Sequence, residues 1–148
     1  MKKIISLIVL FLGVTFYSFS QSGLVFHFKS NNGSITLQQK DNYSMSFTIS
    51  GLKSEDQVNK LKEIFSLNSN VKQFEIFNPP TANNERKARL TLISKDKEKL
   101  IELFNSANVS KLVVDDKDYT LDQLDQLKID LKAKHKEVNS TSSASQSR

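Results

Sequence analysis

Residues 43–67 read YSMSFTISGLKSEDQVNKLKEIFSL, and the hydrophobic period of this stretch changes once along its length. Residues 43–50 alternate strictly between apolar and hydroxyl side chains, which predicts a half-buried β-strand. Residues 54–67 repeat their apolar side chains at helical spacing, which predicts an amphipathic helix. Gln57 follows Ser54 at the spacing of a capping box, so we expect the helix to begin there.

A return strand follows this helix, and the whole unit then repeats. Residues 71–78 are predicted to form a strand that ends at a pair of prolines, because proline cannot donate to a β-ladder. After another alternating strand at residues 88–93, Asp96 can cap a helix that Asn108 ends. Residues 109–114 complete the second unit as a strand.

Two such units predict an α+β fold. We expect a ferredoxin-like βαββαβ sandwich at residues 43–116, in which a four-stranded antiparallel sheet carries both helices on one face. An N-terminal β-hairpin is predicted at residues 21–42, around the turn signal Asn31-Asn32-Gly33. An extra C-terminal helix is predicted at residues 117–138, with a capping box at Thr120-Leu121-Asp122-Gln123, followed by a disordered tail at residues 139–148. The pattern leaves open whether this helix packs on its own domain or mediates oligomerisation.

The N-terminus carries the features of a secretory signal peptide at residues 1–20. Lys2 and Lys3 precede an apolar run at residues 4–19, and Ser18-Phe19-Ser20 offers small residues to signal peptidase. A retained membrane anchor is the competing interpretation, because the run is near the lower length limit for a spanning helix. We expect cleavage, and hence a periplasmic or secreted protein with no stable membrane anchor.

Composition excludes several classes of function. The chain of 148 residues has no Cys, which excludes thiol enzymes, cysteine zinc sites, iron–sulfur clusters and disulfides. Its 21 Lys and Arg against 16 Asp and Glu give a net charge of +5, which falls to +3 once Lys2 and Lys3 leave with the signal peptide. Because this excess is modest and the protein is expected to be exported, we expect no nucleic-acid partner.

No catalytic constellation is visible along the chain. His27 and His135 are the two histidines, and each is predicted to be a surface residue, since neither lies near paired carboxylates in the sequence. Residues 115–118 read DDKD, which lacks the spaced ligands of a calcium loop and predicts a turn. We therefore expect neither an enzyme nor a cofactor.

One family resemblance is present between Met45 and Val114. The stretch Gly51-Leu52-Lys53-Ser54-Glu55-Asp56-Gln57, placed between a strand and a helix, resembles the metal loop of the heavy-metal-associated domain. That family occurs in copper chaperones and metal-transporting ATPases, and it places Gly-Met-x-Cys-x-x-Cys at this point. The segment from Lys99 to Phe104, with Ala107-Asn108 after it, resembles the second helix of the family and its ending.

The chain departs from that family at its metal ligands. Aligned on Gly51, the two cysteines fall on Ser54 and Gln57, and the methionine falls on Leu52. A hydroxyl and a carboxamide are hard, neutral ligands, whereas Cu(I) requires thiolate or thioether sulfur. We therefore expect no metal site here, and we expect Ser54 and Gln57 to cap a helix instead.

These observations lead to two hypotheses for function. The first is an exported, non-enzymatic module that acts through a protein partner or as an accessory in the cell envelope. The alternative is a metal-handling protein that uses non-cysteine ligands such as His27 and Met45.

A surface for a partner is also predicted. The sheet face away from the helices should carry five side chains, namely Phe77, Arg89, Thr91, Ile93 and Val113. We expect the hairpin or the C-terminal helix to cover this face, and any uncovered part to bind a protein.

Overall fold

The computed structural model describes residues 23–39, 41–78 and 80–144, and it is an α+β fold with a mixed sheet and three α-helices. The seven strands are β1 (Leu24–Phe28), β2 (Leu37–Gln39), β3 (Asn42–Ser50), β4 (Val71–Ile76), β5 (Arg86–Leu92), β6 (Val109–Val114) and β7 (Lys117–Tyr119). The helices are α1 (Glu55–Leu67), α2 (Lys97–Ser106) and α3 (Leu124–Ala144), and a 3-10 turn at Leu121–Gln123 precedes α3. The sheet order is β4-β5-β3-β1-β6-β7, and β2 pairs with the first residues of β3. The predicted signal peptide lies outside the described residues.

The two helices that periodicity predicted between residues 43 and 114 are present as α1 and α2. Asp96 caps α2 by accepting hydrogen bonds from the backbone N–H groups of Glu98 (3.1 Å) and Lys99 (3.3 Å). Asn108 follows α2 with a φ of 54°, which suits a residue that tolerates the left-handed region. Local sequence signals therefore predicted both ends of this helix correctly.

The strand pairing differs from the prediction because β1 lies inside the sheet. β1 pairs antiparallel with β3 on one side and parallel with β6 on the other. The predicted four-stranded antiparallel sheet is therefore wrong, since the sheet is mixed and has seven strands. At this interior position the backbone groups on both edges of β1 form hydrogen bonds, and the side chains of Leu24, Phe26 and Phe28 all enter the core.

The predicted N-terminal hairpin is also wrong as a pair of strands, although its turn is present. Asn31 and Ser34 exchange backbone hydrogen bonds of 2.8 and 3.0 Å across Asn32 and Gly33. Both central residues have positive φ, 50° and 75°, as a type I′ turn requires. β2 nevertheless pairs with β3 rather than with β1, because β3 and β6 already occupy both edges of β1.

The C-terminal segment differs from the prediction at both ends. Residues 117–119 lie within the predicted helical segment but form β7, which pairs with β6, and the helical residues follow the capping box predicted at Thr120. Residues 139–144, predicted to be disordered, continue α3, because no Gly or Pro between residues 124 and 144 interrupts the helix. Across the described residues, no helix has both the length and the apolar character needed to cross a membrane.

The core lies between the sheet and the helices and is centred on Phe26, which is fully buried. Its ring stacks on Phe47 of β3 at a centroid distance of 4.6 Å. It also meets the edge of Phe104 of α2 at 5.6 Å, and Phe65 of α1 lies 6.4 Å away. Leu127 is only 4% exposed and belongs to the same core, so α3 packs on its own domain.

Helix α1 begins with the predicted capping box. Ser54 Oγ accepts a hydrogen bond from the Gln57 backbone N–H at 3.3 Å. Gln57 Oε1 accepts one from the Lys53 backbone N–H at 2.6 Å, one residue earlier than in the usual box. Glu55 and Asp56 occupy the first turn, where negative charge is favoured by the helix dipole. Side chains at the start of α1 therefore supply hydrogen-bond acceptors for the backbone N–H groups there.

We predict that Ser54→Ala lowers the free energy of unfolding by about 1 kcal/mol, because an N–H group at the helix start loses its acceptor. The matched control is Ser66→Ala in the same helix, since Ser66 is exposed and bonds only the Glu63 carbonyl oxygen. We expect a change within about 0.5 kcal/mol for the control. Urea unfolding followed by circular dichroism measures both values, and equal losses for the two variants would contradict the capping role.

Candidate functional site

In the loop at residues 51–57, whose sequence resembles the metal loop of the heavy-metal-associated domain, two polar side chains cap helix α1. The Ser54 hydroxyl and the Gln57 side-chain oxygen both accept backbone hydrogen bonds at the start of α1. Neither oxygen is therefore a free ligand, and both are hard donors that suit Cu(I) poorly. This geometry matches the helix-capping role that the sequence predicted for the two residues.

The alternative ligands His27 and Met45 are not brought together. Met45 is 5% exposed and faces the helices, whereas His27 lies on the opposite face of the sheet. The part of the chain that the structure describes holds no group of three or more His, Cys, Asp or Glu side chains placed to bind a metal ion. The sheet itself therefore separates the two proposed ligands.

The acidic stretch at residues 115–118 forms the predicted turn, between β6 and β7. Asp115 and Asp116 have φ of 50° and 67°, so both central residues of this turn adopt the left-handed region. Their neighbour Asp118 pairs with Lys111 at 2.6 Å, whereas Asp115 accepts from Lys134 at 2.8 Å. Because these carboxylates bind separate lysines, they do not converge on one cation.

The sheet face away from the helices, here called the open face, is uncovered by the described elements. All three helices contribute to the core on the other side, and β1 is part of the sheet. The expectation that the hairpin or the C-terminal helix covers this face is therefore wrong. The side chains predicted to point there do so, and Phe77 and Ile93 are 43% and 53% exposed.

A row of hydroxyl groups runs along the middle of the open face. It belongs to β3 and comprises Ser44, Ser46, Thr48 and Ser50. In the strand register, Arg89 lies opposite Ser46 and Lys87 lies opposite Thr48. With Lys29 on the β1 side, Ser46, Thr48, Lys87 and Arg89 line a shallow depression of about 850 Å³. Its lining combines these hydroxyl groups with apolar side chains, and three cations and three carboxylates belong to it.

Two of the three carboxylates that line the depression, Glu85 and Asp115, accept hydrogen bonds from other groups. Glu85 accepts a hydrogen bond from Ser50, and Asp115 at the rim accepts from Ser30 and Lys134. Arg89 lies 5.8 Å from the centre of the Phe77 ring, in a cation–π arrangement. The depression therefore carries the cations Lys29, Lys87 and Arg89, hydroxyl groups and the Phe77 ring, and Asp116 also lines it.

Sequence reasoning missed one cluster at the edge of the open face. Ser50 Oγ lies 2.9 Å from His27 Nε2 and donates to Glu85 Oε1 at 2.8 Å. In a nucleophilic serine site the imidazole accepts the hydroxyl proton. Here that proton points to the carboxylate, so His27 Nε2–H donates to the serine oxygen. The cluster links β1, β3 and the start of β5 and does not activate a nucleophile.

A second concave surface, here called the α3 groove, lies on the helix side of the sheet. It is about 540 Å³ in volume and runs between α3, α2 and the loop at residues 33–36. Its floor is apolar and consists of Ile35, Met45, Leu92, Leu100, Leu124, Leu127 and Leu131. Its rim is basic and carries Lys95, Lys97, Lys128, Lys132 and His135.

The turn at residues 31–34 holds α3 in place and so shapes this groove. His135 Nδ1 lies 2.7 Å from the Asn32 carbonyl oxygen, and Nδ1–H is the donor. A Cβ atom added at Gly33 would lie 2.4 Å from the Leu131 carbonyl oxygen, so only glycine allows this approach. His135 is thus a surface residue, as predicted, with a structural contact that spacing could not reveal.

Asp130 holds the first half of α3 against β7. Its carboxylate accepts hydrogen bonds from Lys117 (2.5 Å), Tyr119 (2.7 Å) and Gln126 (2.8 Å). These bonds, the one from Lys117 most of all, lower the pKa of Asp130 from its ordinary value of 3.8 to about 2. The ionised carboxylate is therefore the form that fits the docked helix.

We predict that Asp130 contributes stability above about pH 4 and that this contribution disappears as the pH falls towards 2, because its folded pKa is depressed to about 2. Asp130→Asn should lower the melting temperature at pH 5 and match the parent protein near pH 2. Thermal unfolding between pH 2 and 5 measures this, and an offset that stays constant over the range would contradict it. Carbon-13 NMR of the carboxyl group measures the pKa directly.

No model of a known protein family, no curated protein and no solved structure matches this chain.

Proposed function

We propose that the chain is an exported, non-enzymatic module of the ferredoxin-like βαββαβ type that binds an acidic protein partner through its open face. The observation that carries this proposal is that the helices gather on one face of the sheet and leave Lys29, Lys87 and Arg89 exposed on the other. An accessory role in the cell envelope would follow from export.

The order of elements supports the ferredoxin-like part of the proposal. From β3 to β6 the chain runs strand, helix, strand, strand, helix, strand. Within this unit β4, β5 and β3 are neighbours and pair antiparallel, as in that arrangement. β1 is then an added strand that separates β3 from β6.

The chemistry of the open face favours an acidic partner. Lys29, Lys87 and Arg89 line the depression, and no ion pair engages them among the residues that the structure describes. Carboxylates on a partner would find these cations and the hydroxyl groups of Ser46 and Thr48 within one surface. Complementary charge of this kind raises the rate and selectivity of association.

Site-specific photo-crosslinking in the producing cells tests this proposal. A benzophenone side chain at Ser46, which is exposed on the open face, should crosslink one defined protein with acidic surface residues. The same group at Glu63, exposed on α1, should not capture that protein. Lys87→Glu/Arg89→Glu should lower the yield from position 46 roughly tenfold, because attraction is replaced by like-charge repulsion.

The matched charge control is Lys62→Glu/Lys136→Glu. It changes the net charge of the protein by the same amount as the open-face variant, but at one position on α1 and one on α3. We expect this control to keep the crosslink. Loss of the product in both double variants would mean that net charge, rather than the open face, governs the interaction. Equal capture from positions 46 and 63 would also contradict the proposal.

We further propose that the chain is a metal-free relative of the heavy-metal-associated domain. The support is the position of Ser54 and Gln57 at the helix start, where that family holds its cysteines, together with their use as capping groups. Metal handling through His27 and Met45 is disfavoured, since these residues lie on opposite faces of the sheet.

Titration with Cu(I) under reducing conditions should give no stoichiometric complex of sub-micromolar affinity with the parent protein. Ser54→Cys/Gln57→Cys should create one, because thiolates at this spacing would meet at the start of α1. The control Glu63→Cys/Ser66→Cys places two cysteines three positions apart elsewhere on α1 and should bind more weakly. Tight binding by the parent protein, or equal binding by the two cysteine variants, would contradict the proposal.

A further inference from the structure

We propose that the α3 groove binds a single-chain amphiphile with an anionic headgroup, of the chemical class of a free long-chain fatty acid. This site lies on the helix side of the sheet, so it is separate from the open face and independent of the function proposed there. Three observations carry the inference: an apolar floor, a preformed shape and two unpaired cations on one wall.

The floor of the groove suits an alkyl chain. Leu100 of α2 and Leu124 and Leu131 of α3 are partly buried and supply its accessible apolar surface, and the buried Met45 and Leu92 of the sheet also line it. Of the groove-lining side chains, the charged ones lie on the rim rather than on this floor. The volume of about 540 Å³ falls within the range of roughly 300–1,000 Å³ that is usual for small-molecule sites.

Contacts on several sides hold the groove open before any ligand arrives. Asp130 accepts from Lys117 and Tyr119, which fastens α3 beside β7. Further along α3, His135 binds the Asn32 carbonyl oxygen, and Gly33 packs against the helix backbone. A preformed site costs less ordering of side chains and loops on binding.

The rim supplies cations for one headgroup. Lys97 is paired with Asp125 at 2.5 Å, and the Lys95 ammonium lies 4.3 Å from the centre of the Tyr43 ring. In contrast, Lys128 and Lys132 have no hydrogen bond or ion pair recorded among the described residues, and they lie one helical turn apart. Two free ammonium groups at the mouth of an apolar groove complement a carboxylate on an alkyl chain.

Isothermal titration calorimetry of the purified protein with sodium dodecanoate tests the proposal. The dodecanoate is kept below its critical micelle concentration. We expect one bound dodecanoate, with NMR shifts confined to the groove, at residues such as Leu100 and Leu127. Decanoate and octanoate should bind progressively more weakly, by up to about fourfold for each methylene lost, if the chain is buried. Dodecyltrimethylammonium has the same chain with a positive headgroup, and it should bind at least tenfold more weakly.

The variant Lys128→Gln/Lys132→Gln should weaken dodecanoate binding about tenfold while leaving the thermal unfolding unchanged, because both side chains are exposed. The control Lys62→Gln/Lys136→Gln removes the same charge outside the groove and should bind as the parent does. Equal affinity for the two amphiphiles, shifts on the open face, or binding only to anionic phospholipid vesicles would each overturn the proposal. None of these outcomes would affect the crosslink from position 46. The proposal for the α3 groove can therefore be refuted without refuting the proposal for the open face, and the reverse is also true.

Discussion

Burial of Phe26 between the sheet and both of the first two helices is the interaction on which the rest of the structure depends. The strand that carries it, β1, is five residues long, yet both of its edges are paired. In the sheet order, β1 lies between β3 and β6, and β7 is paired with β6 at the edge of the sheet. Without β1, neither β6 nor β7 would be joined to β3. The ring of Phe26 meets rings from β3 and α2 and lies near one from α1. β1 therefore joins the two halves of the sheet and also ties them to the helices.

The two concave surfaces follow from that arrangement. Because the inward side of every long strand is apolar, the helices gather on one face, and α3 adds Leu127 to the same core. The opposite face then keeps the alternate residues of each strand, which include hydroxyl groups, cations, a carboxylate and a few exposed apolar side chains. On the helix side, α3 packs beside α2 and leaves Leu100, Leu124 and Leu131 only partly buried, and these side chains line the groove.

Elements were predictable from the sequence wherever the deciding signal was local. The alternation at residues 43–50, the capping box at Ser54 and the cap at Asp96 each lie within a few positions of the structure they specify. Strand partners were not predictable. The alternation of apolar and polar side chains indicates which side of a strand is buried, but it does not indicate which strand pairs with it. The same limit hid the cluster of His27, Ser50 and Glu85, whose members are 23 and 35 positions apart and meet only through pairing.

The sequence by itself determined the α+β class, the places where α1 and α2 begin, the side of each strand that enters the core, and the lack of sulfur ligands in the loop at residues 51–57. Only the tertiary structure decided that β1 enters the sheet, that α3 joins the helix face, and that the other face stays open in the described chain. The physical reason is that propensity, capping and periodicity act over a few residues. Pairing and burial depend instead on which distant segments offer matching backbone edges and apolar surface.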